Sequence, residues 1–201
     1  MRAGSRLLQA VSCLAGAVRR RDREIVRTAG AALTEDTPRD ALIGIGNRRH
    51  LDDSLRTLGM LDSREYVIVM IDLDHFKSIN DRFFHVVGNK VLVRIAQEIV
   101  AGSRPGDLAA RYSGEEFVLV MSDIDDTAAR TVCDRICRAI HVIDWSFYSS
   151  DLTLTASLGL ASSTEVSGGP LDVLSLADRY LYLAKQAGRD CVMGADPRPA
   201  S

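Results

Sequence analysis

Tyr66-Val67-Ile68-Val69-Met70-Ile71 is an unbroken apolar run, and Asp72-Leu73-Asp74 follows it at once. An apolar run of this length predicts a strand buried on both faces, at the centre of a sheet rather than its edge. Two carboxylates then emerge where that strand ends. Working outward, residues 85–100 repeat apolar side chains at helical spacing: Val87, Val91, Leu92, Ile95 and Ile99. Residues 108–112 and 116–121 read as short strands joined at Ser113-Gly114, a hairpin. Residues 127–140 read as a helix, and 152–161 alternate as a strand. Pro170 suits the first turn of a helix running to Gly188, with 191–193 as a last short strand. Upstream, residues 40–58 read as a loop entering a helix. The predicted class is α/β (α+β), with a central, mostly antiparallel sheet flanked by helices.

The chain has 201 residues, 46% of them hydrophobic, with 25 Lys+Arg against 27 Asp+Glu and a net charge of −2. That length fits one core plus an appendage. The near-neutral balance gives no field for nucleic acid or an anionic membrane surface, and neither is an expected partner. No run approaches the roughly 20 apolar residues needed to span a bilayer. The four cysteines, Cys13, Cys133, Cys137 and Cys191, are too scattered for a disulfide framework. A cytoplasmic setting is expected. Cys133 and Cys137 lie four apart with no nearby His, and are read as small core residues.

Pro38 and the polar stretch before it break the chain, dividing it into 1–38, a main domain at 39–194, and a flexible tail at 195–201. Leu7, Val11, Leu14, Val18 and Ile25 follow a 3-4 spacing that Arg21 interrupts. That pattern suits an N-terminal helix: a short coiled-coil stalk, or an amphipathic helix lying on the main domain. A secretory leader fits less well. Gln9 and Ser12 interrupt the apolar run, and Arg19-Arg20-Arg21 follows with no clear cleavage site.

Two acidic positions carry the candidate chemistry: Asp72 with Asp74, and Glu115-Glu116 beside Gly114. If their strands are neighbours, the carboxylates converge into a hard oxygen site for Mg²⁺, which keeps water and takes substrate phosphates. From spacing alone, solvated strand ends are the simpler explanation. Lys77 follows closely enough to face the same mouth. Lys185 and Arg189, four apart at a helix end, either reach a polyphosphate or complement the helix dipole. Asn80 and His85 flank a turn and suit either a base contact or a cap.

Together these segments resemble the GGDEF family, the diguanylate cyclases. Asp40-Ala41-Leu42-Ile43-Gly44-Ile45-Gly46-Asn47-Arg48-Arg49 is similar to the entry motif D-x-L-T-G-L-x-N-R-R. Ile71-Asp72-Leu73-Asp74-His75-Phe76-Lys77-Ser78-Ile79-Asn80-Asp81 is similar to I-D-x-D-x-F-K-x-I-N-D. Arg111-Tyr112-Ser113-Gly114-Glu115-Glu116-Phe117 stands where R-x-G-G-[D/E]-E-F is expected, and Ala184-Lys185-Gln186-Ala187-Gly188-Arg189 resembles A-K-x-x-G-R. Four motifs in order and spacing are far more specific than any one alone.

The resemblance implies a palm-like nucleotide-cyclase fold and the condensation of two GTP into cyclic di-GMP in a head-to-tail homodimer. It implies Mg²⁺, with Mn²⁺ as an alternative, on Asp72, the Leu73 carbonyl, Glu115 and Glu116. Glu115 is then also the general base and Lys77 the transition-state cation. Asn80, His85 and Asn89 become substrate contacts, and Lys185 and Arg189 the phosphate clamp. Arg104 and Asp107, six residues before Ser113, resemble the family's R-x-x-D product-inhibition site for cyclic di-GMP, supported by Arg135.

Four positions depart from the pattern. Ser113 replaces the first signature Gly, Phe84 a Gly, Asn89 an Asp that reads guanine, and Ile43 a Thr. They leave a second expectation: a catalytically weak domain acting as a cyclic di-GMP receptor or dimerisation module.

Overall fold

Every residue of β1 (Tyr66–Leu73) is buried, as its apolar run requires. Alternate side chains feed two cores. Val67, Val69 and Ile71 lie under α2 (Phe76–Gly102) and α3 (Asp126–His141). Ile68 and Met70 lie under α1 (Arg48–Gly59) and α4 (Pro170–Gln186). Each such side chain contributes roughly 1.5–3 kcal/mol on full burial. The structure, a computed structural model, describes residues 38–60 and 65–195. The expected N-terminal helix and the tail beyond residue 195 lie outside those residues.

The sheet order is β2-β3-β1-β4-β5, with β2 (Leu108–Ser113), β3 (Glu116–Ser122), β4 (Ala156–Ser162) and β5 (Val192–Met193). All pairs are antiparallel except β4 with β5, so the sheet is mostly antiparallel, as expected, with one parallel pair at its edge. Helices are capped as their sequences suggest. Asn47 accepts from the His50 N–H at 2.9 Å and Asp125 from the Ala128 N–H at 2.7 Å. Pro170 opens α4, and Gly188 beyond its end has φ +113°. A Cβ on Gly159 would come within 2.1 Å of the Ala177 carbonyl oxygen and the Leu181 nitrogen, so only glycine lets α4 lie directly on β4.

One predicted boundary shifts. The strand expected over 152–161 begins at Ala156, because its partner β1 ends at Leu73, which pairs with Ala156. Leu152 and Leu154 alternate because they are buried, not because they pair in the sheet. Cys133 and Cys137 are core residues, and burial is the main cause that pushes the Cys137 thiol up to about 12. Among the described residues no helix is long and apolar enough to cross a membrane.

α2 breaks at Phe84, whose φ of 63° and ψ of 161° lie in a region that is essentially glycine's. The family pattern places a Gly there, and the backbone keeps the glycine conformation. Phe84 carries that strain, roughly 1–3 kcal/mol, while its ring is 76% exposed and gains little from packing. Phe84→Gly is therefore expected to raise stability by about 1 kcal/mol, net of glycine's own entropy cost. Thermal denaturation would read this as a midpoint about 2–4 °C higher. An unchanged or lower midpoint would show that the ring makes a compensating contact.

Candidate active site

The C-terminal end of β1 delivers Asp72, Leu73 and Asp74. A left-handed His75 (φ 57°) then turns the chain into α2, bringing Phe76 and Lys77 back over the strand end. The β2–β3 turn contributes Glu115, and the end of α4 contributes Lys185 and Arg189. These nine residues line one cavity of about 180 Å³. Seven of the residues named from sequence thus meet in space: Asp72, Leu73, Asp74, Lys77, Glu115, Lys185 and Arg189.

Backbone contacts explain how the turn reaches the strand. The Leu73 N–H approaches the Glu115 carbonyl at 3.4 Å. Arg111 donates from Nε at 2.9 Å and Nη2 at 2.7 Å to the Gly114 carbonyl, and from Nη1 to Asp40 at 3.2 Å. The arginine of the signature therefore braces the turn that presents Glu115. Ser113 is not among the left-handed residues, so its departure from glycine carries no backbone penalty. Its hydroxyl donates to the Glu116 carboxylate.

Asp72 is 2.9 Å from the Lys185 ammonium. Its carboxyl nevertheless lies above the usual carboxylate range. Burial is the main cause; Lys185 pulls it down, while Glu116 and Glu115 push it up. Two further carboxylates thus act on a buried Asp72, a donor chemistry that suits a hard divalent cation. Among the described residues no three His, Cys, Asp or Glu side chains are gathered closely enough to hold an ion alone. Mg²⁺ does not require that, since it is commonly bound by one or two carboxylates with water and substrate phosphates. Asp72, the Leu73 carbonyl and Glu115 fit that role. Glu116 pairs across the sheet with Asp72 and pushes its carboxyl up, accepts from the Ser113 hydroxyl, and does not itself line the cavity.

The other expected substrate residues stand apart from this cavity. Asn80 packs against Gly88, where a Cβ would come within 2.0 Å of its Oδ1. His85 is exposed. Asn89 lines a second cavity of about 330 Å³ with Leu42, Lys90, Val93, Arg94, Gln97 and Tyr148.

Asp74, which the sequence set beside Asp72 as a candidate cation carboxylate, is 5% exposed and densely hydrogen-bonded to protein. It accepts from the Thr155 and Ser157 hydroxyls, both at 2.7 Å, and from the Asp190 N–H at 3.2 Å. Arg189 Nε lies 4.0 Å away. Asp74 thus ties β1, the start of β4 and the Arg189 turn together. Its partners Thr155 and Ser157 are 81 and 83 residues downstream, so no local pattern reveals it.

Arg104, Asp107 and Arg135 share a different corner. Arg104 pairs with Asp107 at 3.1 Å, and its guanidinium also donates to the carbonyls of Ser122 and Asp123. The Asp107 side chain is 2% exposed. Arg135 donates to the Gly102 carbonyl, two residues before Arg104 in the chain. Arg104 and Asp107 also line a cavity of about 510 Å³.

Residues 37–191 match the family described as "Diguanylate cyclase, GGDEF domain". The chain is 36% identical over 154 residues to the diguanylate cyclase DgcP of Pseudomonas aeruginosa, covering 75% of this chain and 23% of that protein. Its structure resembles diguanylate cyclase SiaD of the same organism, solved with its activator SiaC, at TM-score 0.74 and 31% identity, covering 96% of this chain and 75% of that one. It also resembles the GGDEF domain of Caulobacter crescentus DgcB, solved with c-di-GMP, at TM-score 0.72 and 28% identity, covering 80% of this chain and 96% of that one. The chain spans about a quarter of DgcP's length. By its fold, its motifs and the family match over most of its length, this chain belongs to the GGDEF diguanylate cyclase family.

Proposed function

We propose that this chain condenses two GTP into cyclic di-GMP and two pyrophosphates. The observation that carries the reading is the convergence of Asp72, Lys77, Glu115, Lys185 and Arg189 on one cavity. Two copies meet head to tail, each holding one nucleotide, so that each 3′-hydroxyl faces the other's α-phosphate. The reaction is an in-line phosphoryl transfer, accelerated by positioning and charge neutralisation.

Mg²⁺, or Mn²⁺ in its place, would be held by Asp72, the Leu73 carbonyl and Glu115, and when bound supplies Lewis-acid neutralisation of phosphate charge. Glu115 takes the proton of the 3′-hydroxyl. Lys77 faces the charge that builds on the transferring phosphate. Lys185 and Arg189 hold the polyphosphate as point charge and fork. Lys185, paired with Asp72 at 2.9 Å, would turn to a phosphate oxygen once that carboxylate is engaged elsewhere. Asn80, His85 and Asn89, outside the phosphate cavity, are the residues this reading assigns to the base. Asn89 offers guanine one neutral acceptor where a carboxylate would offer charged ones, so discrimination against adenine is narrower. GTP as substrate fits a cytoplasmic setting. The test is incubation of the chain with GTP and Mg²⁺ and identification of the product by mass: cyclic di-GMP is expected, and unconsumed GTP would reject the reading. A complete set of charged groups at the cavity favours turnover over a receptor-only role.

Arg104, Asp107 and Arg135 serve in this reading as the product-inhibition site. Cyclic di-GMP would take over Arg104 from the carbonyls it now caps. Arg104→Ala is expected to weaken calorimetric cyclic di-GMP binding roughly tenfold to a hundredfold, the worth of a charge-assisted fork. The same change leaves the buried Asp107 carboxylate with the residue-104 N–H, which donates to it at 2.9 Å, but without the guanidinium, at a cost of about 1 kcal/mol in denaturant unfolding, discounted because Arg104 is half exposed. Unchanged affinity would reduce the motif to a turn-stabilising pair.

A further inference from the structure

Arg189 stands at the cavity on a backbone that disfavours it. Gly188, Arg189 and Asp190 are consecutive left-handed residues, with φ of 113°, 69° and 49°, and only the first is a glycine. Such a run persists only where its surroundings over-determine it. Three restraints come from the site's own elements. The Arg189 N–H donates to the Ala184 carbonyl at 3.0 Å, the Asp190 N–H to Asp74 at 3.2 Å, and the Leu158 N–H to the Cys191 carbonyl at 2.9 Å. Two more come from α3: the Asp190 carboxylate meets His141 Nδ1 at 2.7 Å and, more weakly, accepts from the Cys137 thiol at 3.8 Å.

His141 ends α3, where the helix dipole favours a cation, and is 56% exposed. It does not line the cavity and belongs to none of the four motifs. We infer that His141 and Asp190 form a positioning pair that holds the left-handed turn and so aims Arg189 at nucleotide phosphate. The identity of that phosphate rests on the cyclase reading above. The pair joins α3, on one face of the sheet, to the turn after α4 on the other. Because His141 is exposed, its removal frees the turn without opening the core.

The test is calorimetric binding of Mg-GTP to the full chain, with thermal melting in parallel. His141→Ala is expected to weaken binding roughly threefold to thirtyfold with the melting midpoint unchanged. Asp190→Asn, which keeps volume but removes the charged acceptor, is expected to follow it. His141→Gln, whose amide can still donate to Asp190, is expected to recover most of the loss. In an Arg189→Ala background, His141→Ala should add less than about twofold, because the group it positions is gone. A general structural defect would instead add in full. Wild-type affinity in both single variants, or full additivity in the double variant, overturns the pair. A wild-type chain that binds no Mg-GTP overturns the cyclase reading, and this inference with it, a result separable from the other two.

Discussion

Glu115→Gln is expected to lower cyclic di-GMP formation by roughly 10²–10⁴-fold with the fold intact. The substitution keeps volume and removes one negative charge. Glu115 presents its carboxylate to the cavity from a turn held by Arg111 through the Gly114 carbonyl, and those bonds run through backbone. They survive the change, so circular dichroism and the melting midpoint should match the parent. The lost charge serves two roles in the proposed reaction, cation ligand and proton acceptor, and an amide fills neither well. Turnover is measured from GTP and Mg²⁺ by product mass. Retained full turnover would reject Glu115 in both roles.

Asp72→Asn is expected to pair an activity loss of at least about 10²-fold with a gain in stability. Burial holds the Asp72 carboxyl above its ordinary range despite Lys185 at 2.9 Å. A group whose folded pKa is raised adds stability that is fully present below its unfolded pKa. That stability is lost as pH rises through the folded value. At neutral pH the ionised Asp72 is therefore a cost to folding. Asparagine removes the charge and still accepts from Lys185. At pH 7 the melting midpoint should rise, and the advantage over the parent should shrink as pH falls through the raised folded pKa and vanish below the ordinary aspartate value of about 4. A gain that persists unchanged at low pH would assign it to something other than Asp72's charge. In this reading the site keeps a buried carboxylate at the expense of stability because metal and phosphate binding needs it charged.

The apolar run 66–71 was enough to place a central strand, because burial on both faces demands an uninterrupted set of apolar side chains. The hairpin at Ser113-Gly114 and the start and stop of α4 were equally legible, since turn and cap chemistry acts over a few residues. The order and spacing of four motifs carried the family. Those signals are local or linear, and a sequence presents them directly. Tertiary structure decided the rest. It began β4 only at Ala156, because β1 ends at Leu73, the residue that pairs with it. It turned Glu116 toward Ser113, took up Arg104 on Asp107 and two carbonyls, and left Phe84 strained in a glycine conformation. Asp74 gathers partners from 81 to 116 residues away, and His141 meets Asp190 across 49. Hydrogen bonds over such separations depend on the relative placement of whole elements, which the packing of the two cores sets and no periodicity encodes.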